Sequence, residues 1–257
     1  MIHPLACVHP DAKLAEGVVV DPFVYIDKNV EIGEGTHIYS NATIFEGSRI
    51  GKNCKIFPGA AVGAVPQDLK FHGEETLAII GDNTTLRECV TVHRGTDARG
   101  KTVVGNNNLI MAYSHIAHDC IVGNNIIISN ASQIAGEVTI DDFAVIGGGS
   151  LIHQFCRIGA HVMLQGGSLV NKDVPPFVMA ARQPISYTGI NTVGLRRRNF
   201  SNETIHEIQE IYRLLYLSEM NISEAVERIE AEVPESEERN MILQFVHESK
   251  RGVIKGY

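Results

Sequence analysis

A mainly β fold, a parallel β-helix of hexapeptide repeats followed by a C-terminal α-helical domain, is predicted by three features of this 257-residue sequence. An aliphatic residue recurs at every sixth position, a small or β-branched residue sits four places further on, and the rhythm stops after "KDVPPF", where helical spacing takes over. From Val8 to Val170 the six-residue series has 28 positions, of which only Asp68, Glu74 and Ala98 are not Ile, Leu or Val. Chance does not sustain such a register, so the period is structural.

The elements follow in order. Val8 to Val62 is an unbroken run of hexads, with Ala42, Ser48, Cys54 and Ala60 as small partners and Gly or Asn in corners such as "IGEG". A six-residue period cannot hold one face of a 3.6-residue helix, and the Gly, Asn and β-branched content disfavours helix locally. Each hexad therefore reads as one short strand plus a turn. Three hexads make a coil of 18 residues, so residues 18 apart stack at the inter-strand distance of about 4.8 Å. "PQDLKFHGEET" (66–76) and "GTDARGKT" (95–102) interrupt the pattern and are expected to project as loops, where binding residues often reside. Hexads resume between them and run on to Val170. Helices are expected after Ser201 (Ile205, Ile208, Ile211 and Leu215 on one face), near Ser223 (Val226, Ile229, Val233) and over 237–250. The expected division is 1–185 for the β-helix and 186–257 for the helical domain.

Composition narrows the function classes. With 44% hydrophobic and 20% charged residues the chain reads as soluble and globular. No apolar run reaches the roughly 18 residues of a membrane span, and "MIHPLACVHPD" lacks a signal peptide's basic start and apolar stretch, so the cytoplasm is the expected location. A net charge of -8 argues against nucleic-acid binding. The five cysteines form no C-x-x-C pair, which suggests neither a zinc ribbon nor a redox dithiol.

"AYSHIAHDCIVG" places His115 and His118 three residues apart, with Asp119 after the second. A lone histidine here reads first as structural. The stacking rule changes this for His118, because 18 residues on comes Gly136 and 18 further Gln154. A glycine beside the imidazole lets a substrate approach a backbone N–H, the usual stabiliser of an oxyanion in acyl transfer. Asp119 is placed to orient the ring as a general base. No Ser or Cys nucleophile is evident beside His118, which favours direct transfer over a covalent acyl-enzyme. Zinc is the competing reading, with His93, His115 and His118 as ligands; their different hexad positions scatter them around the coil, so no metal site is expected.

At "SHIAHDC", "GAVPQDLK", "VTVHRGT", "DDFAVIGGGSLIHQFCRIGAHVM", "DVPPFVMA" and "GINTVGLRRRNF" the chain resembles the UDP-N-acetylglucosamine O-acyltransferases, which open lipid A synthesis. The resemblance covers nearly the whole length. It implies a left-handed coil, a homotrimer with sites between prisms, and transfer of a 3-hydroxyacyl group from acyl carrier protein to the sugar 3-hydroxyl. It implies no cofactor beyond the phosphopantetheine of the donor. Carried over, His118 matches the general base, Asp119 its orienting partner and Gly136 N–H the oxyanion donor. Asp68, Lys70, His115, Gln154 and Asn191 match contacts to nucleotide sugar or acyl donor, and Arg197 and Arg198 a basic pair near the UDP and carrier end, a role that suits arginine. Gly166 matches an acyl-chain stop, its bland alternative being a corner glycine. His153 matches a family histidine that packing explains equally well. Where the family has His and Glu, this chain has Glu137 and Val193; Glu137 stacks one coil above Asp119 and is expected to put a second carboxylate near the base. Three other readings compete: the pathway's N-acyltransferase, which shares only the prism and normally carries a further uridine-binding domain; a γ-carbonic-anhydrase-like metal enzyme; and a non-catalytic scaffold or carrier-binding module.

Overall fold

The computed structural model describes residues 1–218 and 220–256. Among them, two-residue strands joined by sharp turns wind into a left-handed triangular prism. Face one has nine strands, from Cys7–Val8 to Leu169–Val170; face two has eight, from Lys13–Leu14 to Arg157–Ile158; face three has ten, from Val19–Val20 to Ser186–Ile190. Pairing is parallel between successive coils, and the 18-residue stacking holds, as in the ladder of His115 with Gln133, Gln133 with Leu151 and Leu151 with Leu169.

The second residue of each strand points inward. Ile26, Ile38, Ile44, Ile56, Ile110, Ile116, Ile128 and Ile134 are wholly buried and stack along the prism axis. Each contributes about 1.5–3 kcal/mol relative to exposure, which makes this column the main source of cohesion. The turns need a left-handed residue, and Asn29, Asn41, Asn53, Asn83, Asn107 and Asn125 supply it with φ between 50° and 61°. Asparagine tolerates that conformation better than most side chains, which accounts for its place in the corners.

The two interruptions preserve the phase because each lengthens its coil by whole hexads. Ile80 pairs with Ile50 across the first and Val104 with Ile80 across the second. Asp68, Glu74 and Ala98, the exceptions in the aliphatic series, are thus loop residues that never face the core. The second loop is shorter than expected: a strand resumes at Lys101.

The C-terminal region differs from expectation at its start. Ser186–Ile190 pairs antiparallel with Val178–Ala181 and so belongs to face three. The change from strands to helices falls at Thr192 rather than 186. A short helix that the periodicity did not reveal, α1 (Thr192–Arg197), comes first. It is followed by α2 (Asn202–Tyr216), α3 (Ile222–Glu232) and α4 (Glu237–Glu248). Ser201 caps α2, Asn221 closes a capping box with Glu224 on α3, and Ser236 caps α4. Ile205, Ile208, Ile211 and Leu215 of α2 are buried. The helices are clasped to the last coil: Tyr212 donates to Pro176 O at 2.6 Å, Ser249 Oγ to Asp173 at 2.6 Å, and Val253 and Lys255 bridge to Asp173 and Ser186.

Candidate active site

The edge between faces one and two carries the site. His118 and Asp119 occupy one corner, Gly136 and Glu137 the corner a coil later, Gln154 and Phe155 the next. Asp119, Glu137 and Phe155 are the left-handed residues of their turns, with φ of 60°, 59° and 67°. Such a conformation is costly for a residue other than Gly or Asn, but corners along the whole prism adopt it, Phe23 and Phe143 among them, so it belongs to the turn and not to the site.

His118 Nδ1 lies 2.8 Å from Asp119 Oδ2. Asp119 is wholly buried, yet its carboxylate also meets the N–H of Thr96 (3.1 Å to each oxygen), the Thr96 hydroxyl (2.7 Å) and the Arg99 N–H (3.1 Å). All these groups donate to the carboxylate, and His118 Nδ1 turns to the same acceptor. Nε2 is the ring nitrogen turned towards the cleft. Asp68 Oδ2 approaches it to 3.8 Å, beyond hydrogen-bonding distance. Directly over the ring lies Gly136: a methyl group there would stand 2.6 Å from both His118 Cε1 and Nε2. Among the described residues the Gly136 N–H donates to no protein acceptor.

These groups open into a cleft of about 700 Å³ along face one. His115, Gln133, Leu151 and Leu169 form its floor, with Gln67, His93, Gln154 and Asn171 among its walls. Leu151 and Leu169 are 46% and 45% exposed, an apolar strip running away from His118 up the prism. Burial, aided by the neighbouring histidines, pulls His93 down to about 4 and lowers His115 as well, so both rings are neutral at pH 7.

The histidines correct one expectation. His93, His115 and His118 do not scatter; all three line this cleft. Their nitrogens are nevertheless held apart, because His115 Nδ1 pairs with Thr91 Oγ1 at 2.7 Å, His118 Nδ1 with Asp119, and His93 meets His115 edge-on at 4.6 Å. Among the described residues no group of three or more His, Cys, Asp or Glu side chains is arranged to hold a metal ion.

Of the other expected residues, the chain brings Asp68, His115, His153 and Gln154 to the cleft, with His153 Nδ1 3.0 Å from the Gln154 carbonyl. Lys70 stays exposed in the loop, its N–H donating to Asp68 Oδ1 at 3.0 Å. Three residues lie on a different edge, between faces two and three. Asn191 is buried, donating to His161 O at 2.9 Å and accepting from Gly194 N–H as the cap of α1. Arg198 donates to Phe143 O at 2.9 Å and lies over the Phe143 ring, while Arg197 is exposed. Gly166 is exposed on the third edge, between faces three and one, where a methyl group would meet Gly148 O at 3.1 Å. Among the described residues Glu137 shows no ion pair with His118; its carbonyl accepts from Arg99 at 3.4 Å.

Sequence reasoning missed Thr96, Arg99, Gln67, Gln133, Leu151 and Leu169 as parts of this site. The last three were within reach of the 18-residue rule applied to His115; the others sit on loops that no period describes.

Comparison with known proteins covers both regions. Residues 173–254 match the family model described as Udp N-acetylglucosamine O-acyltransferase, Domain 2; residues 101–136 match the bacterial transferase hexapeptide, and residues 2–103 the GMPPB C-terminal domain. The acyl-[acyl-carrier-protein]--UDP-N-acetylglucosamine O-acyltransferase of Sulfurihydrogenibium sp. is 56% identical over 253 residues, covering 98% of this chain and 93% of its own. That of Thermodesulfovibrio yellowstonii is 44% identical over 255 residues, covering 99% of each. The crystal structure of a UDP-N-acetylglucosamine acyltransferase from Bacteroides fragilis superposes with a TM-score of 0.98 at 55% identity, covering 99% of this chain and 100% of the other.

Proposed function

This chain belongs to the UDP-N-acetylglucosamine O-acyltransferase family, and from that premise we propose that it transfers a 3-hydroxyacyl group from acyl carrier protein to the 3-hydroxyl of UDP-N-acetylglucosamine, the first step of lipid A synthesis. The observation that carries the reading is the His118 imidazole held between Asp119 and Gly136, with Nε2 facing the cleft. Nε2 takes the proton of the sugar 3-hydroxyl as its oxygen attacks the thioester carbonyl. The negative charge that develops on the carbonyl oxygen is met by the Gly136 N–H, and Asp119 stabilises the imidazolium. The intermediate collapses as the C–S bond breaks, and His118 returns its proton to the departing phosphopantetheine sulfur. The net exchange is an ester for a thioester, with no covalent enzyme intermediate and no resident cofactor.

Asp68, Lys70, His115 and Gln154 are assigned to sugar and donor contacts around the cleft, with His153 and Glu137 as subsidiary positions. The apolar strip of Leu151 and Leu169 suits an acyl chain, and Gly166 is assigned as its stop. Asn191, Arg197 and Arg198 cannot join His118 within one chain, since they occupy another edge. A homotrimer, in which the neighbouring prism presents them to the cleft, supplies the missing side and a site for the UDP phosphates. Among the described residues no helix is long and apolar enough to cross a membrane, and a carrier-protein donor suits action in the cytoplasm. Incubation of the purified protein with a 3-hydroxyacyl carrier-protein thioester and UDP-N-acetylglucosamine tests the reading by mass analysis of the nucleotide sugar. An O-acylated product dependent on His118 is expected; absence of product at every acyl length overturns the proposal.

A further inference from the structure

We propose that the loop between His93 and Lys101 is part of the catalytic apparatus, with Thr96 as a positioning residue that fixes Asp119 and, through it, the tautomer and orientation of the His118 ring; this rests on the acyl-transfer reading above. Asp119 has no exposed surface, and a buried carboxylate without donors takes up a proton instead of staying charged. Apart from the ring it orients, every donor to this carboxylate among the described residues comes from the loop: Thr96 N–H to both oxygens, Thr96 Oγ1 to Oδ2 and Arg99 N–H to Oδ1. Thr96 is itself buried, 6% exposed.

The hydroxyl's direction is set as well. Thr96 Oγ1 accepts the Ala98 N–H at 3.2 Å, which turns its own hydrogen towards Asp119 Oδ2, the oxygen that also receives His118 Nδ1–H. With the Thr96 N–H, three donors converge on Oδ2 and leave the carboxylate a single rotation. From the far end of the loop, Arg99 donates to the carbonyls of Asp119 (2.9 Å) and Glu137 (3.4 Å), tying the His118 corner to the Gly136 corner one coil later. The backbone bond from Glu137 N–H to His118 O at 3.0 Å fixes the spacing of the two corners, and Arg99 braces it from the loop side.

The test compares Thr96→Val, Thr96→Ala and Thr96→Ser in the full-length protein by kcat, KM, melting temperature and the NMR signal of the His118 Nδ1 proton. Thr96→Val, or Thr96→Ala should Val not fold, is expected to lower kcat about ten- to a hundredfold, the loss that accompanies removal of one hydrogen bond to a charged group. KM stays within about twofold, because Thr96 touches no substrate. The downfield Nδ1 proton signal broadens into exchange in both, and Thr96→Ser restores rate and signal together. A folded Thr96→Val with parental kcat and an intact signal overturns the inference, as does a Thr96→Ser as impaired as Val. If the parent itself fails to acylate the sugar, the functional reading fails, yet the ring signal still decides whether Thr96 positions His118.

Discussion

The sharpest consequence of the geometry concerns Gly136→Ala. The added carbon stands 2.6 Å from His118 Cε1 and Nε2, whereas ordinary contact begins at 3.4 Å, so the ring must retreat by roughly 1 Å. Moving away strains its bond to Asp119, which the loop holds still. Displacement of a catalytic group by about 1 Å costs on the order of 10²-fold in rate, equivalent to about 2.7 kcal/mol of barrier. Stability behaves differently. Gly136 does not occupy the left-handed region, and the atoms it would strike are the tip of a side chain. Replacing such a glycine by alanine restricts the unfolded chain and offsets part of the steric cost, by about 0.4–1 kcal/mol. The expected result is a kcat lower by about 10², with KM changed less than kcat and a melting temperature within a few degrees of the parent. Steady-state kinetics with carrier-protein thioester, paired with thermal melts, measure both. A variant that melts and turns over like the parent would show that His118 Nε2 does not act beneath Gly136.

His118→Ala is expected to remove about 10² to 10⁴ in rate while the protein stays folded, and His153→Ala less, since packing explains that residue equally well; equal losses would refute the distinction. Gly166→Met is expected to shift preference to shorter 3-hydroxyacyl donors, each unaccommodated methylene weakening binding by about 0.8 kcal/mol; an unchanged chain-length profile in a folded variant makes Gly166 only a corner residue. Buried His93 and His161 are both lowered to about 4, so between pH 6.5 and 4 the unfolded chain binds more protons than the folded one and stability falls on acidification through that window. His161→Phe, placed between Phe143 and Phe177, should flatten that dependence, and identical melting profiles against pH would contradict it. Activity is expected to survive exhaustive chelation; stoichiometric zinc whose removal stops transfer would revive a metal mechanism.

Much of this molecule is determined by the sequence alone because its fold is periodic. An inward residue every six positions, with coils of three hexads, converts a difference of 18 in residue number into contact between neighbouring strands. His118 beneath Gly136 and Gln154 above it, and the ladder from His115 to Leu169, follow from that rule without coordinates. The caps of α2 and the buried face of Ile205, Ile208, Ile211 and Leu215 are equally local. Only the tertiary structure decided what the aperiodic segments do. The loops add whole hexads and so leave no trace in the aliphatic phase, and where Thr96 and Arg99 come to rest depends on how an inserted segment closes against a corner 23 and 20 positions away. The same holds for the separation of Arg197, Arg198 and Asn191 from the cleft, and for the convergence of His93 on His115 despite its different place in the hexad. Strand period fixes which face a residue takes; the path of a loop is fixed by the donors and acceptors it meets, and these are brought together only when the coils are stacked.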